Sequence, residues 1–116
     1  MHAVLILAAL AAADFENDIA PLLLRRCVEC HHSGNPSGGL DLTSLAAAKK
    51  GGESGAALVP GQLSESYLWE RVEKGEMPPP KSGKSRALPE AERQKLGEWI
   101  TAGAVWPEGR RLDLFE

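Results

Sequence analysis

A chain of 116 residues with 43% hydrophobic and 25% charged side chains has the makings of one compact domain and none of the bias of a fibre or a disordered tail. Its 16 acidic against 13 basic side chains leave a formal charge of −3, so it lacks the overall basic balance that phosphate neutralisation by a nucleic-acid binder requires. Two cysteines are too few for a disulfide framework, and as Cys27-Val28-Glu29-Cys30 they sit too close together to staple distant segments.

Residues 1–13 read MHAVLILAALAAA, an apolar run ending in small residues with an A-x-A cleavage pattern before Asp14. This predicts a signal peptide and export, to the periplasm or otherwise out of the cytoplasm, with a buried N-terminal helix as the competing reading; the n-region carries only the terminal amine and His2. The run is shorter than the roughly 20 residues a spanning helix needs, so no membrane span is expected in the mature chain. The expected organisation is a leader over 1–13, one domain over 14–109 and a short tail over 110–116.

From Asp14 to His31 the residues Phe15, Ile19, Leu22, Leu23 and Cys30 form one apolar stripe at helical spacing. With Asp18 as N-cap, Pro21 falls in the first turn, where its missing N–H has no intrahelical acceptor to lose. The helix is expected to run into the cysteine pair. Residues 33–61 are rich in Gly, Ser and Ala and read as a long loop, with one short helix at Leu45 to Lys49 and an extended piece at Leu40 to Leu42. A loop of that length in a compact domain implies something to wrap.

Ser64 or Ser66 can cap a helix carrying Leu68, Trp69 and Val72 that Gly75 ends. Met77-Pro78-Pro79-Pro80 then makes a stiff extended loop. A last helix begins near Pro89, turns Leu96, Trp99 and Ile100 inward and stops at Gly103, and Trp106-Pro107 closes the domain.

Cys27-Val28-Glu29-Cys30-His31 has the C-x-x-C-H spacing of covalent haem attachment. Residues three apart on a helical turn share a side, so two thiols can reach the two vinyl groups of one porphyrin while the next residue brings an imidazole to the iron. The competing readings fit less well. A thioredoxin-like redox pair needs a βαβ context that this sequence lacks, and a zinc site would need more than His32 and His2 to complete it.

The candidate for a second axial ligand is Met77, the one methionine besides Met1, which a proline-stiffened loop rather than a core position is expected to present; core filler is the competing role. His32 adjoins His31 and is not expected to reach the opposite haem face. Trp69, Trp99 and Trp106 are read as core residues that could also touch a cofactor. Lys74, Lys81, Lys84 and Arg86 flank the Met77 loop and are read as solvated charges, with a docking face for an acidic partner as the other option. Gly83-Lys84-Ser85 resembles the tail of a phosphate loop, but Pro78 stands where its first glycine belongs.

With these residues in view, the chain resembles the planctomycete-type cytochrome c domain from about Phe15 to Pro107. The resemblance rests on Phe15, Asp18-Ile19, Pro21-Leu22, the Cys27 to His31 motif, the run from Gly38 to Leu42, Gly51-Gly52, Val59-Pro60-Gly61, Ser66, Leu68 and Arg71. It continues through Met77-Pro78-Pro79, Leu88, Leu96, Trp99-Ile100, Gly103-Ala104 and Trp106-Pro107. It implies an all-α cytochrome c-like fold wrapped around one covalent haem c, with terminal helices packed across each other and His31 and Met77 as the iron's axial pair. Members of the family often carry this domain at the front of much larger exported proteins.

The function expected is single-electron transfer between redox partner proteins, without catalysis by the chain itself and with no nucleic acid as partner. A place in a larger respiratory or dehydrogenase system is consistent with that role. Two alternatives stand beside it. One is a haem enzyme or a gas or peroxide sensor whose sixth coordination position opens, and the other is a haem-binding module of a larger assembly.

Overall fold

The computed structural model describes residues 13–116, so the leader reading lies outside the described residues except for Ala13. The chain enters through a wide π-helical turn, Phe15–Ile19, which passes directly into α1, Ala20–Arg26. Asp14, not Asp18, is the N-cap. Its carboxylate accepts from the Asn17 N–H at 2.8 Å, while Asp18 reaches back to accept from the Asp14 N–H at 2.8 Å, a reciprocal cap. The helix therefore starts a turn earlier than expected. Pro21 explains the widened turn before it, since a proline ring crowds the carbonyl four residues back and offers that carbonyl no N–H.

α1 stops at Arg26, short of the cysteine motif, and residues 27–30 form an irregular turn. After it, β1, His31–His32, pairs antiparallel with β2, Asn35–Pro36, in register His31 with Pro36 and His32 with Asn35. This two-residue ribbon was not legible in the sequence, and Leu40 to Leu42, though extended at Leu40, pairs in no strand. The architecture is mostly helical, with this short ribbon as its sheet.

A 3-10 turn at Ser37–Gly39 leads to α2, Leu45–Lys50, capped by Ser44, whose hydroxyl accepts from the Ala47 N–H. The glycine-rich return is pinned by backbone bonds from Glu53 to Gly38 and from Leu58 to Ala48. Ser66, fully buried, ties the next stretch together: its hydroxyl accepts from the Val59 N–H at 3.0 Å and donates to the Gln62 carbonyl at 3.0 Å. It precedes α3, Tyr67–Glu73, but its side chain bonds backward into the loop and not to the helix.

α3 ends in a Schellman motif. Gly75, at φ 74°, donates to the Val72 carbonyl, and Glu76 donates to the Arg71 carbonyl. α4, Glu90–Thr101, ends in the same way, with Gly103 donating to Ile100 and Ala104 to Trp99. The two helices touch where Gly97 leaves room for the Trp69 ring; a Cβ there would stand 3.0 Å from the indole.

The terminal helices meet through aromatic packing. The Phe15 ring lies 4.7 Å from Trp106 and 6.0 Å from Trp99, centroid to centroid, and both indole N–H groups are satisfied by carbonyls, of Val105 and Arg110. Arg26 adds a two-pronged pair to Glu92 of α4, both contacts at 3.0 Å. The last residues are not loose: Leu112 is buried and donates to the Thr43 carbonyl, and Arg110 bridges Glu16 and Glu116. Among the described residues no helix is long and apolar enough to cross a membrane.

Candidate haem site

The turn after α1 fixes the first three site residues. Cys27 and Val28 both donate to the Leu23 carbonyl, and His31 donates to the Cys27 carbonyl at 3.0 Å, so one helix-like turn connects the two thiols to the imidazole. From the other side, Leu42 donates to the His31 carbonyl at 2.8 Å. The His31 backbone is thus clamped between the motif and the loop beyond the ribbon.

Met77 is placed by α3. Its N–H donates to the Arg71 carbonyl at 3.3 Å, beside the Glu76 N–H that donates to the same oxygen at 2.9 Å. The Schellman turn therefore delivers Met77 to a fixed point after the helix, and the prolines that follow carry the chain on without helix. Arg86 returns over this loop and donates from Nε to the Pro79 carbonyl at 2.7 Å. A small antiparallel bridge between Lys81 and Lys84 makes the reversal.

Cys27, Cys30, His31 and Met77 all line one cavity of about 310 Å³, within the range of cofactor pockets. Its apolar wall comes from Leu40, Leu42, Ala57, Leu68 and Val72, and the 38–55 loop crosses it with Gly38, Gly52 and Gly55. The close approach of that loop depends on missing side chains: a Cβ on Gly52 would stand 2.5 Å from the Gly38 carbonyl oxygen. Beside the site residues, the polar side chains at the cavity are Arg25, Arg26, Glu29, Ser37, Glu53, Ser54, Tyr67, Arg71 and Arg86.

These residues fit a haem. The donor set offers two free thiols, one buried and one half-buried, and an imidazole whose Nδ1 is buried without a hydrogen-bond partner. A buried polar nitrogen left so is unusual in a native fold and marks a ring that the protein alone does not satisfy. Burial pushes the Cys27 thiol up to about 12, which Arg26 only partly opposes. That is opposite to the depressed thiol of a redox-active cysteine pair. Among the described residues no group of three or more His, Cys, Asp and Glu side chains is arranged to hold a metal ion unaided, so the zinc reading gains no support.

His32 is half-buried and accepts from the Gly34 N–H through Nδ1, outside the cavity. None of the three tryptophans lines it; Trp99 and Trp106 belong to the helix crossing and Trp69 to the contact with Gly97. Sequence reasoning missed the polar residues of the cavity. The signal available was the spacing of Tyr67 and Arg71, one helical turn apart, where the guanidinium Nη1 donates to the phenol at 2.9 Å and the guanidinium carbon Cζ lies 5.6 Å from its ring centre. That bond, with Ser54 adding to it, holds the Tyr67 hydroxyl below its ordinary pKa.

Comparison with known proteins agrees with the sequence. Residues 27–81, from the first cysteine of the motif to just past the Met77 loop, match the family model described as planctomycete cytochrome C. A solved structure of hydrazine synthase from Kuenenia stuttgartiensis is similar over 81% of this chain, with 28% identity and a TM-score of 0.50. The chain spans only 16% of that protein's length. No curated protein matches it.

Proposed function

We propose that this chain, a c-type haem protein by its planctomycete cytochrome c match over residues 27–81, is an exported electron carrier with a single haem. The observation that carries the reading is the convergence of Cys27, Cys30, His31 and Met77 on one cavity. Cys27 and Cys30 would hold the porphyrin through thioethers, and His31 and Met77 would bind the iron. When bound, such a group supplies a one-electron ferric–ferrous couple.

The chain's part is to hold the site still. His31 is clamped by the Cys27 carbonyl and the Leu42 N–H, and Met77 hangs from the Arg71 carbonyl. Fixed ligands keep rearrangement on electron gain or loss small. The apolar wall of leucines, Val72 and Ala57 excludes water, which makes every charge near the site count for more. A thioether ligand favours ferrous iron and raises the potential. No bond in a substrate needs to be made or broken, so the chain is not an enzyme in this reading, and its partners are other redox proteins.

Export-competent expression with haem maturation tests the proposal through the absorption spectra of both oxidation states and the mass. One haem's added mass and a reversible one-electron change are expected. A colourless product with the mass of the polypeptide alone refutes it.

The likeness to a hydrazine synthase favours one second reading, a haem domain serving a larger enzyme.

A further inference from the structure

Four arginines and two glutamates, Glu29 and Glu53, line the cavity, and the arginines differ in how far they are already partnered. Arg25 and Arg26 already share Glu92, at 3.7 and 3.0 Å. Arg86 has no carboxylate partner among the described residues; its Nε donates to the Pro79 carbonyl, and the residue lines the cavity. Arg71 lies between these extremes. Glu76 Oε1 is 2.7 Å from its Nε, yet that buried Nε makes no aligned hydrogen bond, and Nη1 is given to Tyr67. Of the five N–H bonds of a guanidinium, most remain available.

The two arginines belong to the same rim. Arg71 lies in the last turn of the helix that presents Met77, and the segment bearing Arg86 packs beside that helix's terminal turn, where a Cβ on Gly75 would stand 3.9 Å from Ala87 Cβ. Tyr67 and Ser54 add hydroxyls to the same cavity. A haem brings two carboxylates on flexible arms, and planar guanidinium forks are the side chains best matched to carboxylates.

The geometry points to Arg71 and Arg86 as the residues that bind the haem propionates, with the Tyr67 and Ser54 hydroxyls completing the Arg71 end. This rests on the haem reading above and deepens it: the same cavity that attaches the ring at Cys27 and Cys30 also neutralises its acidic edge. Arg71 then does two things at once, holding a propionate with its side chain and Met77 with its carbonyl. Arg86 likewise links a propionate to the loop at Pro79.

The test is the pH dependence of the reduction potential in the matured protein, comparing wild type with Arg71→Gln, Arg86→Gln and Tyr67→Phe. Loss of a neighbouring guanidinium should raise the propionate inflection in the potential–pH curve by about one unit for each arginine. Lysine at either position should restore part of the shift. The Tyr67→Phe protein removes one hydroxyl with little risk to folding, and a smaller shift in the same direction is expected. The sulfur-to-iron absorption, recorded for each variant, separates a propionate effect, with the band kept and the inflection shifted, from loss of Met77, with the band gone. Haem-loaded variants with the wild-type inflection overturn the propionate assignment and leave the haem reading standing. Absence of haem from the wild type overturns both.

Discussion

Met77 hangs from Arg71: its N–H donates to the Arg71 carbonyl at 3.3 Å, so the side chain with the third sulfur of the candidate site follows α3 by a fixed turn. The same carbonyl takes the Glu76 N–H, and Gly75 alone among neighbouring residues has the positive φ that this arrangement requires. Met77→Ala should therefore leave the turn and the haem attachment intact while removing only the thioether. We expect the reduction potential to fall by on the order of 0.1 V or more, within the ~0.8 V span that axial ligands control. Cyanide or imidazole should then bind at the iron. An unchanged potential and an unchanged ligand spectrum would remove Met77 from the site.

In the proposed reading covalent attachment would divide between two thiols in different surroundings, Cys27 buried and Cys30 half-buried. Cys27→Ala and Cys30→Ala should each retain one thioether and some colour, at reduced yield. The double variant should release its haem on acid–acetone extraction and weigh as polypeptide alone. Retention of haem through extraction by the double variant would show that attachment lies elsewhere.

Helices with ordinary caps and stripes were readable from the sequence, and the reasons are local. The Leu45 helix, the Tyr67 helix and the Glu90 helix each carry their stop signals within a few residues, at Gly51, Gly75 and Gly103. The N-terminus was misplaced because Asp14 and Asp18 are both good caps, and what decides between them is the π turn that Pro21 imposes. The ribbon at His31–His32 was hidden because a pair of two-residue strands leaves no periodicity. At the site, the C-x-x-C-H spacing named three residues, whereas the arginines of the cavity were indistinguishable from surface charges. Their placement depends on tertiary packing of residues far apart in sequence, as the 2.7 Å bond from Arg86 to Pro79 shows.

The glycine-rich loop across the cavity makes a separate, colour-independent prediction. Gly51 has φ of 78°, and a Cβ on it would fall 1.9 Å from the Gly55 carbonyl oxygen, a clash with backbone that no rotamer relieves. Gly51→Ala should destabilise the fold by on the order of 1–3 kcal/mol through strain at that position, or force the loop open. Thermal melting of the matured protein should show a drop of several degrees, with Gly61→Ala, where nothing lies within 4 Å, giving a smaller one. Equal drops for the two variants would contradict the close approach.

The last residues offer a test at low pH. The Glu116 carboxyl is held down at about 2, first by its hydrogen bond from Arg110 and then by the Asp113 N–H. A carboxylate whose folded pKa lies below its ordinary value of about 4.3 stabilises the fold at neutral pH and loses that contribution as protons bind. The docking of 110–116 should therefore be complete above about pH 4.3 and weaken as pH falls toward 2. Arg110 is pushed upward from an already high value, so it contributes no titration in this window. Amide exchange at Asp113, whose N–H donates to Glu116 Oε2 at 2.8 Å, reads the change directly. The protection factor at this amide, which removes the intrinsic pH dependence of exchange, should fall through the acid window in the wild type and be low at all pH values in Glu116→Gln. A wild-type amide that stays protected to pH 2 would show that Leu112, buried and bonded to the Thr43 carbonyl, holds the tail without help from the ion pair.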